Sequence, residues 1–281
     1  MINTPYPFCN AVPRIETLST TNVRQAETKG STVEQHPSNM GAGTYLRFSA
    51  KIECMNTKTI SAAGGPATLA LFDDPPREGR ERLGPGAFVL PGFALPFVDA
   101  LLPAIEGLAE RAPFRHLVTP GGFTMSVALT NCGALGWTSD RRGYRYSATD
   151  PDTGKPWPAM PEPFTRLARE AASAAGFDGF APDACLVNRY APGARLSLHQ
   201  DKDERDYGAP IVSVSLGMPA VFLFGGLARG DKAVRIPLMH GDVVVWGGED
   251  RLRYHGVLPL KDEPHPLLGA IRINLTFRKA G

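Results

Sequence analysis

ACLVNRY (residues 184–190), a short link of Ala, Pro and Gly, and LSLHQD (residues 196–201) read as two strands joined by a tight connection. Each is a short run of strand length bounded by turn residues, the pattern of an all-β segment rather than of a helix. The same rhythm continues through IVSVSLG (211–217), AVFLFGG (220–226), VRIPLMH (234–240), DVVVWGG (242–248), RYHGVLP (253–259) and RINLTFR (272–278). Eight short strands separated by turns rich in Gly, Pro and Asp predict a jelly roll, also called a double-stranded β-helix, rather than a parallel sheet with crossovers.

Upstream the period changes. Phe97, Leu101, Ile105 and Leu108 recur at helical spacing within residues 96–112, and Phe164, Leu167 and Ala171 do so within 161–176. The expected class is therefore mainly β (α+β), a jelly-roll core with flanking helices. Residues 118–158 contain two further strand-like runs, TMSVALTN and GYRYS, and are expected to form a flap ahead of the barrel. Residues 1–66, rich in Ser, Thr, Asn and Gly and without sustained periodicity, read as a disordered N-terminal extension. A linker from Asp73 to Arg82 joins them to the folded body, which makes 67–281 one domain.

Composition narrows the function classes. The chain has 281 residues, 43% of them hydrophobic, enough for one sizeable core. With 30 Lys+Arg against 28 Asp+Glu, net charge argues neither for nor against nucleic acid, so any basic surface is local. The most apolar stretch, 87–107, is interrupted by Pro91, Pro96, Asp99 and Pro103 and does not read as a membrane helix. The N-terminus has no apolar core of a signal peptide. Cys9, Cys54, Cys132 and Cys185 form no CxxC pair, which points away from a zinc ribbon and towards reduced thiols in a cytoplasmic monomer.

His199 and Asp201 are the first candidates for chemistry. On a strand, residues two apart share a face, so both side chains can reach one ion. A third imidazole from a distant strand would complete two His and one carboxylate, the set that leaves open positions for non-haem iron(II) and oxygen. Spacing leaves both His255 and His240 available. His255 is favoured because Arg272 follows it by 17 residues. A diacid needs a buried cation with a carboxylate-matching fork, and Arg272, Asn274, Thr276 and Arg278 alternate onto one face of the last strand. A non-catalytic jelly-roll module that binds a metal or a sugar would not need that anchor.

Longer segments carry a family resemblance. VTPGGFTMSVALTNCGALGW, DPDTGKPWPAMP, PDACLVNRYAPGARLSLHQDKDE, PIVSVSLGMPAVFLFGG, HGDVVVWGG and NLTFRKAG resemble the AlkB-type alkylation-repair dioxygenases, from about Leu69 to Gly281. The resemblance implies an enzyme that uses Fe(II), 2-oxoglutarate and O2 to demethylate 1-methyladenine and 3-methylcytosine, releasing succinate, CO2 and formaldehyde. It implies His199, Asp201 and His255 as iron ligands. Asn188, Tyr190, Arg272, Asn274 and Arg278 become 2-oxoglutarate contacts, and Trp137, Tyr144, Arg145, Tyr146, Asp203 and Arg229 substrate contacts. Methylated DNA, single-stranded or duplex, is the implied partner, with RNA open. A related oxygenase acting only on RNA or on protein is the alternative. Phe123 and Arg145 depart from the family pattern, where Tyr and an apolar residue are expected.

Overall fold

The computed structural model describes residues 79–281. The reading of residues 1–66, together with Cys9 and Cys54, lies outside the described residues. The chain runs β1 (Glu81–Gly84), β2 (Ala87–Leu90), α1 (Val98–Arg111), β3 (Ala128–Gly133), β4 (Gly136–Asp140), β5 (Gly143–Ser147), α2 (Glu162–Ala174) and β6 (Ala184–Tyr190). It continues through β7 (Leu196–His199), β8 (Ile211–Gly217), β9 (Ala220–Phe224), β10 (Val234–Leu238), β11 (Val243–Trp246), β12 (His255–Val257) and β13 (Arg272–Arg278). All eight strands expected after Pro182 are present as β6 to β13, and both expected helices form.

The strands form a seven-stranded sheet in the order β1-β2-β11-β8-β13-β6-β3 and a four-stranded sheet in the order β10-β9-β12-β7. Every pairing is antiparallel. Two sheets with this pattern are the jelly roll that the sequence predicts.

The period of two sorts side chains between two cores. Val212, Val214, Val243, Val245, Ile273, Leu275 and Phe277 point to the outer face of the larger sheet, where they pack with Leu101, Leu108, Phe164 and Leu167 from the two helices. Ile211, Val244 and Trp246 point inward and pack against Phe222, Phe224 and Val257 of the smaller sheet. Leu101, Leu108 and Leu167 are fully buried, so each Leu→Ala change there is expected to cost about 2–5 kcal/mol. Ser213, Ser215, Asn188, Arg272, Asn274, Thr276 and Arg278 are also buried, although polar. They interrupt the apolar inner face with a polar stripe along β6, β8 and β13, whose buried groups all need partners.

Two elements differ from the expectation. The end of the supposed linker is β1, paired with β2 as an added hairpin on the larger sheet. Within 118–158, β3 pairs with β6 as the outermost strand of that sheet, while only β4 and β5 form a separate hairpin. The burial of Ala128 to Cys132 explains the first placement, since their side chains have neighbours on both faces. Cys132 and Cys185 sit opposite one another across that pairing as buried free thiols. No described helix is long and apolar enough to cross a membrane.

Candidate active site

His199 ends β7 and His255 begins β12, and they are paired directly across the two strands. Gly256 permits this approach: a Cβ there would lie 2.7 Å from the Leu196 carbonyl oxygen and force the strands apart. The two imidazole centroids are consequently 4.3 Å apart. Asp201 lies just beyond β7, its carboxylate 3.6 Å from His199 Nε2 and 3.7 Å from His255 Nε2. The donor atoms of all three residues fall within 4.8 Å of one another, as one shared ion requires.

The surroundings set the charge state of this group. His199 Nδ1 donates to the Ser197 carbonyl at 2.9 Å, and His255 Nδ1 donates to the Arg253 carbonyl at 3.0 Å. Each ring therefore carries its proton on Nδ1 and turns an Nε2 lone pair towards its partners. Burial, then His199 beside it, pushes His255 down to about 4, so it stays neutral. Burial alone would raise Asp201, but the charge of Arg278 and its hydrogen bond outweigh it and hold the carboxyl far below its ordinary range. Arg278 binds only Oδ2, through Nε at 2.8 Å and Nη2 at 2.7 Å. The neutral His255, the His199 ring beside it and one ionised carboxylate suit a divalent metal such as iron(II).

His240 stands elsewhere. Its Nδ1 accepts the Gly217 N–H at 2.9 Å and its ring stacks on His265 at 4.3 Å, so its lone pair is already used.

Arg272 is 1% exposed, and its guanidinium lies 4.9 Å from the centre of the Tyr190 ring. Nη2 donates to Ser215 Oγ at 3.0 Å, while Nε and Nη1 have no partner among the described residues. A buried cation with two unmet donors is costly unless an anion meets them. A carboxylate accepts a two-pronged guanidinium, so the fit to a diacid is direct. Register places Arg272 opposite Tyr190 and Asn274 opposite Asn188. Asn188 donates to Asn274 Oδ1 at 3.3 Å, and Asn274 donates to Ser213 Oγ at 2.8 Å and the Val214 carbonyl at 3.0 Å. Arg278, expected near the diacid, is engaged by Asp201 and Glu204.

The hairpin carries the remaining residues on two faces. Trp137 and Tyr146 are cross-strand partners, as are Ser139 and Tyr144. Trp137 stacks on Tyr144 at 5.5 Å, and its Nε1 donates to Asp203 Oδ2 at 2.8 Å. Tyr146 donates to Glu204 Oε1 at 2.8 Å. Arg145 is on the opposite face, where it grips Asp140 at 3.0 and 2.8 Å. A cavity of about 380 Å³ lines that back face, but Arg115 within it is likewise paired with Asp150 and Asp152. Arg229 lies over the Tyr254 ring at 5.3 Å, and Phe123 is 75% exposed. Because β7 stops at His199, Asp203 is not on a continuing strand; its bond to Trp137 sets where it points.

Sequence reasoning missed Glu204, Arg251 and Trp246. Trp246 packs against His255 at 4.9 Å. Glu204 and Arg251 are buried charges from the acidic DKDE run and the GGEDRLR turn. Their only signal was charge next to candidate ligands, which does not reveal partners far apart in sequence.

Comparison with known proteins places this geometry. A family model described as the 2OG-Fe(II) oxygenase superfamily matches residues 86–278. The chain is 64% identical over 201 residues to the alpha-ketoglutarate-dependent dioxygenase AlkB of Salmonella typhimurium, covering 72% of this chain and 93% of that protein. It is 62% identical over 202 residues to the protein of the same name from Escherichia coli, covering 72% and 94%. Among solved structures, that of OsALKBH1 aligns with a TM-score of 0.64 at 31% identity, covering 71% of this chain and 99% of the other.

Proposed function

The chain belongs to the 2OG-Fe(II) oxygenase superfamily and within it to the AlkB dioxygenases, and from that membership we propose that it oxidatively demethylates alkylated nucleic-acid bases, 1-methyladenine and 3-methylcytosine above all. The observation that carries the reading is the pair of unmet nitrogens on buried Arg272, on the same strand face as the Arg278 that holds Asp201. A site for metal alone would have no use for that cation.

In this account His199, Asp201 and His255 hold Fe(II), and Arg272 grips the distal carboxylate of 2-oxoglutarate, with Tyr190, Asn188 and Asn274 lining its berth. Bound iron supplies the oxidising chemistry that spends O2 and 2-oxoglutarate on the N-methyl carbon, yielding succinate, CO2 and formaldehyde. The residues do the rest. Arg278 takes one Asp201 oxygen and leaves Oδ1 for the ion. The backbone carbonyls of Ser197 and Arg253 fix both imidazole tautomers. Trp137 and Tyr144 offer aromatic faces to a base, and Asp203 offers a negative charge to the cationic methylated forms. A paired base cannot reach an interior metal, so the substrate is single-stranded or flipped out of a duplex. Arg229 is left to the flanking phosphates. We place the protein in the cytoplasm, acting as a monomer.

The test is mass spectrometry of oligonucleotides bearing one 3-methylcytosine after incubation with enzyme, Fe(II), ascorbate and 2-oxoglutarate. Loss of the mass of one CH2 group, as N–CH3 becomes N–H, with matching formaldehyde is expected. An unchanged oligonucleotide while succinate accumulates would reject nucleic acid as the substrate.

A further inference from the structure

Segment 201–204, Asp-Lys-Asp-Glu, meets the β4–β5 hairpin at two points of opposite character. Trp137 reaches Asp203, which is exposed. Tyr146 reaches Glu204, whose side chain is 2% exposed. Glu204 also faces two buried arginines, Arg251 Nη2 at 3.2 Å and Arg278 Nε at 3.4 Å. The same arginines secure Asp201: Arg278 binds its carboxylate, and Arg251 Nη1 donates to its main-chain carbonyl at 2.8 Å. Asp201, Glu204, Arg251 and Arg278 thus form a buried quartet with no net charge. Without Glu204, two guanidinium groups would face one carboxylate in a region closed to water, which is strongly unfavourable.

We infer that Glu204 is a positioning residue for Asp201, and that its bond to Tyr146 is the fixed pivot on which the hairpin moves. The Trp137–Asp203 bond is then the releasable latch. Asp203 can exchange Trp137 for a ligand donor because solvent reaches it, whereas Glu204 is buried and held in place by Arg251 and Arg278. A base that engages Asp203 frees the indole to settle on the base, while the hairpin stays tethered at Tyr146. Tyr146 accordingly acts through Glu204 and not by touching substrate. The inference rests on Asp201 being a metal ligand; it does not depend on which base is demethylated.

Two measurements on the full chain test it. Hydrogen exchange of amides 136–147, read without metal, should be about tenfold faster in Tyr146→Phe, since the bond to the buried Glu204 is lost, and less than about threefold faster in Trp137→Phe. Anaerobic Fe(II) titration should show affinity reduced about tenfold in Glu204→Gln, the usual scale for losing a group that orients a ligand, and recovered in Glu204→Asp. Wild-type exchange in Tyr146→Phe, or equal release by Trp137→Phe, would overturn the pivot. Wild-type iron affinity in Glu204→Gln would overturn the positioning role. If Glu204→Gln does not fold, Glu204→Asp must keep iron affinity while the hairpin amides exchange faster, and loss of both would count against the inference. Failure of the wild type to bind iron would instead reject the metal reading of Asp201, leaving the exchange result to stand on its own.

Discussion

The interior of the jelly roll and the β4–β5 hairpin both carry aromatic and charged side chains, but they hold them differently. In the interior, Asp201, Arg278, Glu204 and Arg251 are buried and each meets at least two others or a backbone carbonyl. On the hairpin, Trp137 and Tyr144 stack at its surface and Arg145 is tied to Asp140 within the same hairpin. A buried charge left alone is heavily penalised, whereas an exposed one is rehydrated. The contrast therefore separates a tightly partnered centre, where losing one partner strands a buried charge, from a surface hairpin whose side chains can change without disturbing the fold. Of the two departures from the family pattern, Arg145 lies on this hairpin and Phe123 on the exposed segment ahead of β3.

The largest effect should follow from emptying the tightly partnered centre. His199→Ala, Asp201→Ala and His255→Ala should each abolish demethylation, because three donors converge on one ion. His240→Ala should retain iron, since its Nδ1 is engaged by Gly217. An active His255→Ala, or a His240→Ala protein that no longer binds iron, would erase the distinction between the two histidines.

Next comes the diacid anchor. Arg272→Ala removes a buried cation with two unmet donors and should raise the KM for 2-oxoglutarate strongly, by the equivalent of about 2–5 kcal/mol. Arg272→Lys should recover only part, because an ammonium lacks the planar fork. A 2-oxoglutarate dependence unmoved by either change would assign the anchor elsewhere.

On the recognition side the effect should be smaller and selective. Asp203→Asn can still accept the Trp137 N–H, so it removes charge while keeping the latch. It should lower the preference for cationic 3-methylcytosine over neutral 3-methylthymine by about 1–3 kcal/mol, without altering iron binding. The ratio of kcat/KM on matched oligonucleotides checks this. An unchanged ratio would make Asp203 a hairpin latch and nothing more.

The smallest effect is expected from deleting residues 1–66, which precede the family match at residue 86. We expect near-wild-type Tm and demethylation rate in the truncated chain. A large loss of either would show that the segment supports the catalytic domain.

Much of this was legible because strands sort their residues by twos. Short runs between turns rich in Gly, Pro and Asp marked β6 to β13, and the period of two put His199 and Asp201 on one side and aligned Arg272 with Arg278. The helices announced themselves through Leu101, Ile105, Phe164 and Leu167, all of them buried. β1 and β2 escaped because they fall in the stretch read as a linker followed by a Pro-interrupted apolar run, and their place on the larger sheet is set by pairing with the distant β11. The direction of Asp203 escaped because β7 ends at His199. The quartet around Glu204 joins residues 47 to 77 positions apart, a separation that no local pattern encodes. His255 could be preferred over His240 only through Arg272; the register with His199 supplies the physical reason.

The central claim is that one metal and one diacid meet at His199, Asp201, His255 and Arg272. Anaerobic titration of Fe(II) and 2-oxoglutarate, followed by the weak visible charge-transfer absorption of the chelate, tests it most directly. The account predicts a band in the wild type and in His240→Ala, a band only at much higher 2-oxoglutarate in Arg272→Ala, and none in His255→Ala. A band that persists in His255→Ala, or that forms in Arg272→Ala at the wild-type 2-oxoglutarate concentration, would contradict it.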